Sequence, residues 1–511
     1  MKNQVPTFLR YLLPSLGDIL WIGAFLGVIG LGPRMMNIDG DLGRHITIGR
    51  VILEQRHVPL ADLFSHTMNG QPVTPHEWLS QVIFALAHNF MGLDGVILVC
   101  GLVIGTSFWL VYRRAREASG EVLAAVFVAV LAMAAASLHW LARPHVFTFL
   151  MLALWVAVLE IMRRGKPQKW WLLPLIMLPW ANLHGAFIAG FVTWALYGFG
   201  LGWDVLFRRF SEGEGLPGRF WRSFFLGGAA SLLVTLLNPS GLELWKTSVG
   251  YVGSRYLVGH TAEYLPPNFH DASTWPFLLM IGIFAVVMGL QSKRYQAAHV
   301  IPAAAWLVMS LYSTRNIPLF AIIAAPLIAE GLGGWLASYQ YRLGLLERFF
   351  AMDQRLLQMD LSLRGIVWPV VIFVLALGGL STGANLDFQQ QGNRFDPQVF
   401  PVEAVDWLEA NPQKGPVFNY FPWGGYLLYR MWPEQTVFID GQTDFYGEAL
   451  TRQYQTVLIL QPSWEDVLDE YNVQWVIMPT DEALSGVLRE RAEWQNVYED
   501  GTAVIFSRGS R

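Results

Sequence analysis

Eleven apolar stretches, several of them short, most constrain what this chain can become. They fall near residues 11–32, 93–112, 122–138, 146–162, 170–183, 186–206, 223–238, 276–291, 297–312, 317–338 and 365–382. A helix crossing a bilayer core needs roughly 20 apolar residues, so we read each stretch as a span. The run from Tyr11 to Leu31 exceeds a signal-peptide core and has no A-x-A cleavage signal, so it is expected to stay as the first span. The segment 77–91 is apolar but short. It fits an interfacial or re-entrant helix, or a twelfth span that would invert everything after it.

Charge supports this reading. Only 14% of the 511 residues are charged, against about 25% in a soluble globular chain. The 53% hydrophobic share and a mean hydropathy of +0.36 agree. The predicted inside loops hold 19 Lys and Arg and the outside loops hold 8. That bias places the N-terminus inside and the C-terminus outside. Arg34, Arg44, Arg50 and Arg56 break it by lying in the long first outside loop, 33–77. Positive charge kept there is available to hold an anion. Tryptophans at span edges (Trp78, Trp140, Trp170, Trp171, Trp180, Trp275, Trp368) read mostly as interfacial anchors.

After Gly383 the character changes. Residues 385–511 hold 8 basic and 19 acidic residues, which argues against nucleic-acid binding. Short helices alternate there with strands expected at Val417–Asn419, Thr436–Ile439, Gln474–Met478, Asn496–Tyr498 and Ala503–Ser507. The expected fold is therefore a polytopic α-helical membrane part, 1–383, followed by a soluble extracytoplasmic α/β domain, 384–511. Cys100 is the only cysteine, so no intramolecular disulfide forms.

The first loop carries the sharpest chemistry, in NIDGDLGRHITIGRVILEQRHVPLADLFSHT and HEW. Asp39 and Asp41 are separated by one glycine. Such a pair can hold a divalent cation, Mg or Mn, share a proton, or supply a general base. It also suits a simple turn in which Asp41 caps a helix beginning near Leu42. That helix is amphipathic, with Leu42, Ile46, Ile48, Val51, Ile52 and Leu53 against Asp41, His45 and Glu54. His76 and Glu77 close the loop. Later outside edges add His139, Arg143 and His145, then Asn182 and His184, then Asn238 and Glu243, then Arg315 and Asn316. Ionisable groups near membrane depth are costly and are functional candidates for that reason. Helix-end hydrogen bonding explains any one of them; it is a poorer account of a set on one side of the membrane. In the tail, Asp440-Gly441-Gln442 with Asp444 reads as a structural turn or as a second site. Trp423 and Tyr426 read as core residues before glycan platforms. The chain has no G-x-x-x-x-G-K-[ST] loop, no zinc-type Cys/His cluster and no G-x-S-x-G elbow, which disfavours ATP-driven transport, structural zinc and serine hydrolysis.

At these residues the chain resembles the C-fold (GT-C) membrane glycosyltransferases, which include protein O-mannosyltransferases, aminoarabinose transferases and oligosaccharyltransferases. The first-loop motif is similar to that of bacterial members, and FNYFPWGGYLLYRM…VFIDGQTDFY is similar to their end domain. No W-W-D-x-G stands in the tail, so the oligosaccharyltransferase activity is not carried over. The resemblance implies a transferase in a bacterial cytoplasmic membrane. It would move a sugar from a polyprenyl-phosphate donor, with inversion, to a hydroxyl on a glycan, lipid or protein acceptor. Asp41 or Asp39 would be the base, or both would hold the cation. His45, His76, Glu77, His139, Arg143, His145, Asn182, His184, Arg315 and Asn316 would line the substrate and hold its phosphate. A transporter or lipid flippase is the next reading, but no matching halves with broken spans are visible. A non-catalytic assembly subunit is the third.

Overall fold

The computed structural model describes residues 7–207, 216–290, 295–338, 344–363 and 365–509. Lys2, Arg208, Arg209, Lys293, Arg294, Arg342 and Arg364, used in the charge count, lie outside the described residues. The described residues of each of the eleven predicted stretches are mainly helical. Seven helices among the described residues are long and apolar enough to cross a membrane, including Phe8–Gly30, Val122–His139, His145–Arg163 and Thr314–Ser338. The chain is a polytopic helical membrane protein with a C-terminal α/β region.

The longest helix, Trp78–Ser119, is central to the bundle. It packs against Leu16–Gly30, Asp41–Gln55, Val122–Ala136, His145–Arg163 and Ile317–Ser338. It is broken at Met91 and Gly92, where Gly92 has φ 60 and ψ −148, a region open essentially to glycine alone. The part before the break leans on the first loop. The carbonyl of Gln81 meets Gly49 where no Cβ would fit, and His88 lies 2.9 Å from the Tyr429 hydroxyl of the tail. Segment 77–91 is thus an arm laid against the loop and the tail, continuous with the span that follows.

At the opposite end, the Gly344–Ser362 helix ties spans together through its carboxylates. Asp353 accepts from the backbone N–H of Val122 and Leu123 at 3.1 and 2.8 Å. Asp360 accepts from Leu16 N–H at 2.7 Å. These N–H groups begin two spans and have no partner within their own helix, so each acid satisfies donors and meets the positive end of a helix dipole.

The tail holds a four-stranded sheet of β1 (Val417–Asn419), β2 (Trp475–Pro479), β3 (Trp494–Glu499) and β4 (Ala503–Arg508), in the order β1-β2-β4-β3. β1 pairs parallel to β2, and β4 runs antiparallel to β2 and β3. Asp500 closes the β3–β4 turn by accepting from Thr502 and Ala503 N–H, both at 2.7 Å. The strand expected at Thr436–Ile439 does not form, because its backbone groups are taken elsewhere. Val437 makes one bridge to Ser65 of the first loop, with His66 N–H donating to Val437 O and Val437 N–H to Phe64 O, both at 3.0 Å. Asn419 accepts from Phe438 N–H at 2.8 Å and donates to Ile439 O at 2.9 Å.

The Asp41–Gln55 helix lies between the bundle and the tail. A Cβ at Gly40 would strike Pro422, one at Gly43 would strike Gly425, and one at Gly425 would strike Gly40. Backbone therefore meets backbone along this seam, which glycine alone permits. Leu42 and Ile46 share one apolar core with Trp423, Tyr426 and Val437. Trp423 and Tyr426 are buried there, as core residues. The polar side of this helix is not a solvated face: Asp41, Arg44 and His45 are buried with its apolar side. Trp140 and Trp180 are buried too, so they are core residues, not interfacial anchors.

Candidate functional site

A short helix, Gly32–Asn37, precedes the Asp41–Gln55 helix of the loop, which has Gly40 at its N-cap and no side chain capping it. The expected cap by Asp41 is therefore replaced: Asp39 Oδ1 accepts from Asp41 N–H at 2.8 Å. This local bond fixes both carboxylates relative to one another. Arg143, from the short loop before the His145–Arg163 helix, reaches between them. One guanidinium nitrogen donates to Asp39 at 2.6 Å and the other pairs closely with Asp41. The fork geometry of arginine suits two carboxylates at once. Glu263 approaches the same guanidinium at 3.5 Å and takes Arg315 at 3.2 Å. Burial pushes the Asp39 carboxyl up to about 6, against the pull of Arg143. Burial also acts on Glu263, but Arg315 and Arg143 hold it at about 2.

A second group surrounds Glu77. His184 Nε2 is 3.6 Å from its carboxylate, and His45 Nδ1 and His76 Nε2 are each 3.9 Å away. Burial raises the Glu77 carboxyl. Burial, with the charges of Arg44 and Arg143, holds the His45 imidazole well below its ordinary value, so it is neutral at pH 7. His184 is oriented by Thr148 at 2.9 Å, and its ring stands 6.3 Å from that of His145. His145 in turn donates to the His139 carbonyl at 2.7 Å. Asn182 accepts from Trp78 Nε1 at 2.7 Å and from Asn238 at 3.2 Å, fixing the end of the arm.

The tail enters the same site. Arg44 donates to the Gln442 side chain at 3.0 Å, and its Nε lies 3.8 Å from Asp440. Asp444 lies 3.6 Å from His76. Gly441 sits against the Asp41 carboxylate so closely that a Cβ would overlap it. Burial pushes the Asp440 carboxyl up to about 6. The Asp440–Asp444 turn is thus neither a second site nor a remote structural turn. It roofs the first.

The sequence-derived set converges with two exceptions. Asn316 turns back to donate to the Met309 carbonyl of the preceding Ala297–Tyr312 helix at 3.1 Å. Glu243 is exposed and pairs with Lys246. Glu263 escaped the sequence reading, since nothing local marks it. Arg44 was legible only through the anomalous positive charge of the first loop. The residues present do not fit a divalent cation at Asp39 and Asp41, because one guanidinium already bridges both. Among the described residues no group of three or more His, Cys, Asp or Glu side chains is placed to hold a metal ion.

No family model matches the chain, and no curated protein matches its sequence. Solved structures do resemble it. The oligosaccharyltransferase of Archaeoglobus fulgidus in its apo form is 12% identical with a TM-score of 0.58, over 91% of this chain and 70% of that one. The archaeal oligosaccharyltransferase AglB from Archaeoglobus fulgidus, in complex with an inhibitory peptide and a dolichol-phosphate, is 12% identical with a TM-score of 0.59, over 96% and 74%. The arabinofuranosyltransferase AftD from Mycobacteria is 14% identical with a TM-score of 0.52, over 97% of this chain but 41% of that one. The chain has the fold of these GT-C membrane proteins.

Proposed function

On a chain of GT-C fold, we propose that the Asp39–Asp41–Arg143 centre transfers a sugar from a polyprenyl-phosphate donor to an acceptor hydroxyl. The observation that carries this reading is the carboxylate pair after the first span, Asp41 buried and Asp39 half-buried, bridged by one arginine from the next loop of the same end. In the reaction the acceptor oxygen bonds to the anomeric carbon and the carbon–oxygen bond to phosphate breaks. The hydroxyl proton passes to a carboxylate, and the electron pair leaves with the polyprenyl phosphate. A single displacement inverts the anomeric centre. Asp39 is the base in this reading. Its side chain is 18% exposed against 8% for Asp41, and a carboxyl near 6 is matched to general-base work close to neutral pH. Asp41 sets the angle of Arg143. The neutral histidines around Glu77 provide hydrogen bonds to hydroxyls or phosphate oxygens. The solved AglB complex with dolichol-phosphate supports a lipid phosphate as leaving group. The acceptor is a glycan, lipid or protein hydroxyl on the extracytoplasmic side of a bacterial cytoplasmic membrane. There 1–383 supplies the spans and 384–511 the outer domain.

Asp39→Asn and Asp41→Asn, purified in detergent and assayed for sugar transfer from polyprenyl-phosphate donors, test this. Each should express and keep its thermal midpoint within a few degrees, and at least one should lose transfer. Full activity in the double variant would reject the reading.

A further inference from the structure

The cations of the site are not equally committed. Arg143 spends its fork on Asp39 and Asp41, with Glu263 beside it. Arg315 pairs with Glu263 and stacks on Tyr264, 4.4 Å from the ring centre. Arg44 differs. Its side chain is 5% exposed and has Asp440 at 3.8 Å; among the described residues its one hydrogen bond goes to a neutral amide oxygen, that of Gln442, and its buried Nε has no hydrogen-bond partner. A buried guanidinium with an unpaired N–H is expensive unless something completes it. It lies on the helix three residues after Asp41, so both side chains share a face.

We infer that Arg44, aimed by Gln442 of the C-terminal domain, is the cation reserved for the phosphate of the lipid donor. This rests on the transferase reading above and goes beyond it. It moves the phosphate contact from Arg143 and Arg315 to Arg44, and it makes Gln442 a positioning residue that only the tail can supply. A neutral amide is the right holder. It orients the guanidinium without cancelling its charge, whereas a carboxylate there would consume it. Asp440 stands back at 3.8 Å, with its Oδ1 occupied by Gln442 N–H at 2.8 Å. The Asp440-Gly441-Gln442 turn therefore shapes the site from above and, among the described residues, leaves the Arg44 guanidinium with ion-pair contact to Asp440 but no hydrogen bond to any carboxylate.

The experiment uses the full chain in nanodiscs and two probes, undecaprenyl monophosphate and undecaprenol. Gln442→Glu should weaken binding of the monophosphate tenfold or more and leave undecaprenol binding and the thermal midpoint unchanged, because the new carboxylate pairs with Arg44. Gln442→Leu should weaken the monophosphate several-fold. Arg44→Gln should abolish the difference between the two probes, and in that background Gln442→Glu should add nothing. A purely structural role predicts the opposite for Gln442→Glu: unchanged monophosphate binding. That result, or additive losses in the double variant, would overturn the inference. Should Gln442→Glu not fold, Gln442→Leu with unchanged preference for the monophosphate overturns it equally. The two readings fail separately. Transfer that survives in the Asp39→Asn, Asp41→Asn double variant removes the transferase while leaving Arg44 as a phosphate site.

Discussion

Gly441 of the tail lies directly against the Asp41 carboxylate of the first loop, leaving no space for a Cβ. The obstructing atom is the head of a buried acid held by Arg143, so it cannot swing aside as a flexible side chain would. Gly441→Ala should therefore push Asp41 off its guanidinium. Overpacking of this kind costs about 1–3 kcal/mol. We expect transfer to fall at least tenfold and the thermal midpoint to drop by several degrees. Gly486→Ala is the matched control. It sits in the Ala483–Glu490 helix with open space around it, where alanine is favoured by up to about 1 kcal/mol. Equal behaviour of the two variants would show that the contact at Gly441 carries no constraint.

The pH dependence of transfer follows from Asp39. Burial lifts its carboxyl to about 6 while Arg143 pulls the other way. A base must be deprotonated, so kcat/KM should fall as pH drops through about 6. Glu263→Gln removes a nearby negative charge that helps to raise this carboxyl and should move that limb to lower pH. Asp440 is also raised to about 6 by burial, so Asp440→Asn is the control and should leave the limb in place. Stability runs the other way. The folded chain binds both protons more tightly than the unfolded chain, whose aspartates titrate near 3.9. The stability they contribute is thus present at low pH and lost as pH rises through about 6. The thermal midpoint should decline over that window, less so in Asp440→Asn. A pH–rate profile flat from 5 to 8 would remove Asp39 from the base role.

Much of this was legible from the chain alone, and the rest was hidden for physical reasons. Spans show in sequence because lipid demands apolar residues wherever the chain crosses, and the helices fall where those stretches lie. The segment Thr436–Ile439 looked like a strand because Val437, Phe438 and Ile439 have strand-type side chains. Its partners, however, are Phe64 and His66 of the first loop and the Asn419 side chain, contacts that no local pattern encodes. Asp39, Asp41 and Arg143 were recognisable by type and by side of the membrane. Their shared guanidinium depends on a loop residue meeting carboxylates 104 and 102 residues before it, and periodicity does not report that. Glu263 and the Asp440 turn join the site by the same kind of long-range contact.

Arg143 should tolerate neither loss nor a change of shape. Removing one partner from a buried ion pair costs about 3–5 kcal/mol. Here the side chain is 24% exposed, and solvent screening reduces that to about 1–3 kcal/mol. Arg143→Gln should accordingly lower the thermal midpoint and abolish transfer. Arg143→Lys keeps the charge but cannot hold two carboxylates through one planar fork. It should recover most of the stability and little of the activity. Full activity in Arg143→Lys would mean that charge alone matters and that the bridging geometry is incidental.

The bridge between Ser65 and Val437 offers a test of whether the tail is a fixed wall of the site. Residues on adjacent bridged strands lie about 4.8 Å apart, inside the Cα window of about 4.4–6.8 Å that a disulfide accepts. Cys100 is the only native cysteine and is buried, so Cys100→Ser gives a clean background. In it, Ser65→Cys with Val437→Cys should cross-link readily under a mild oxidant, visible as a gel shift that reductant reverses. The first loop is already held there by Thr67 donating to the Phe438 carbonyl at 2.7 Å, so the cross-link adds little that the fold does not impose. Transfer by the oxidised protein should stay within about twofold of the reduced protein, because a tail that forms one wall of the site has no reason to leave during turnover. Transfer that stops on oxidation and returns on reduction would mean that the tail lifts away in each cycle, and the site described above would then be only its closed state.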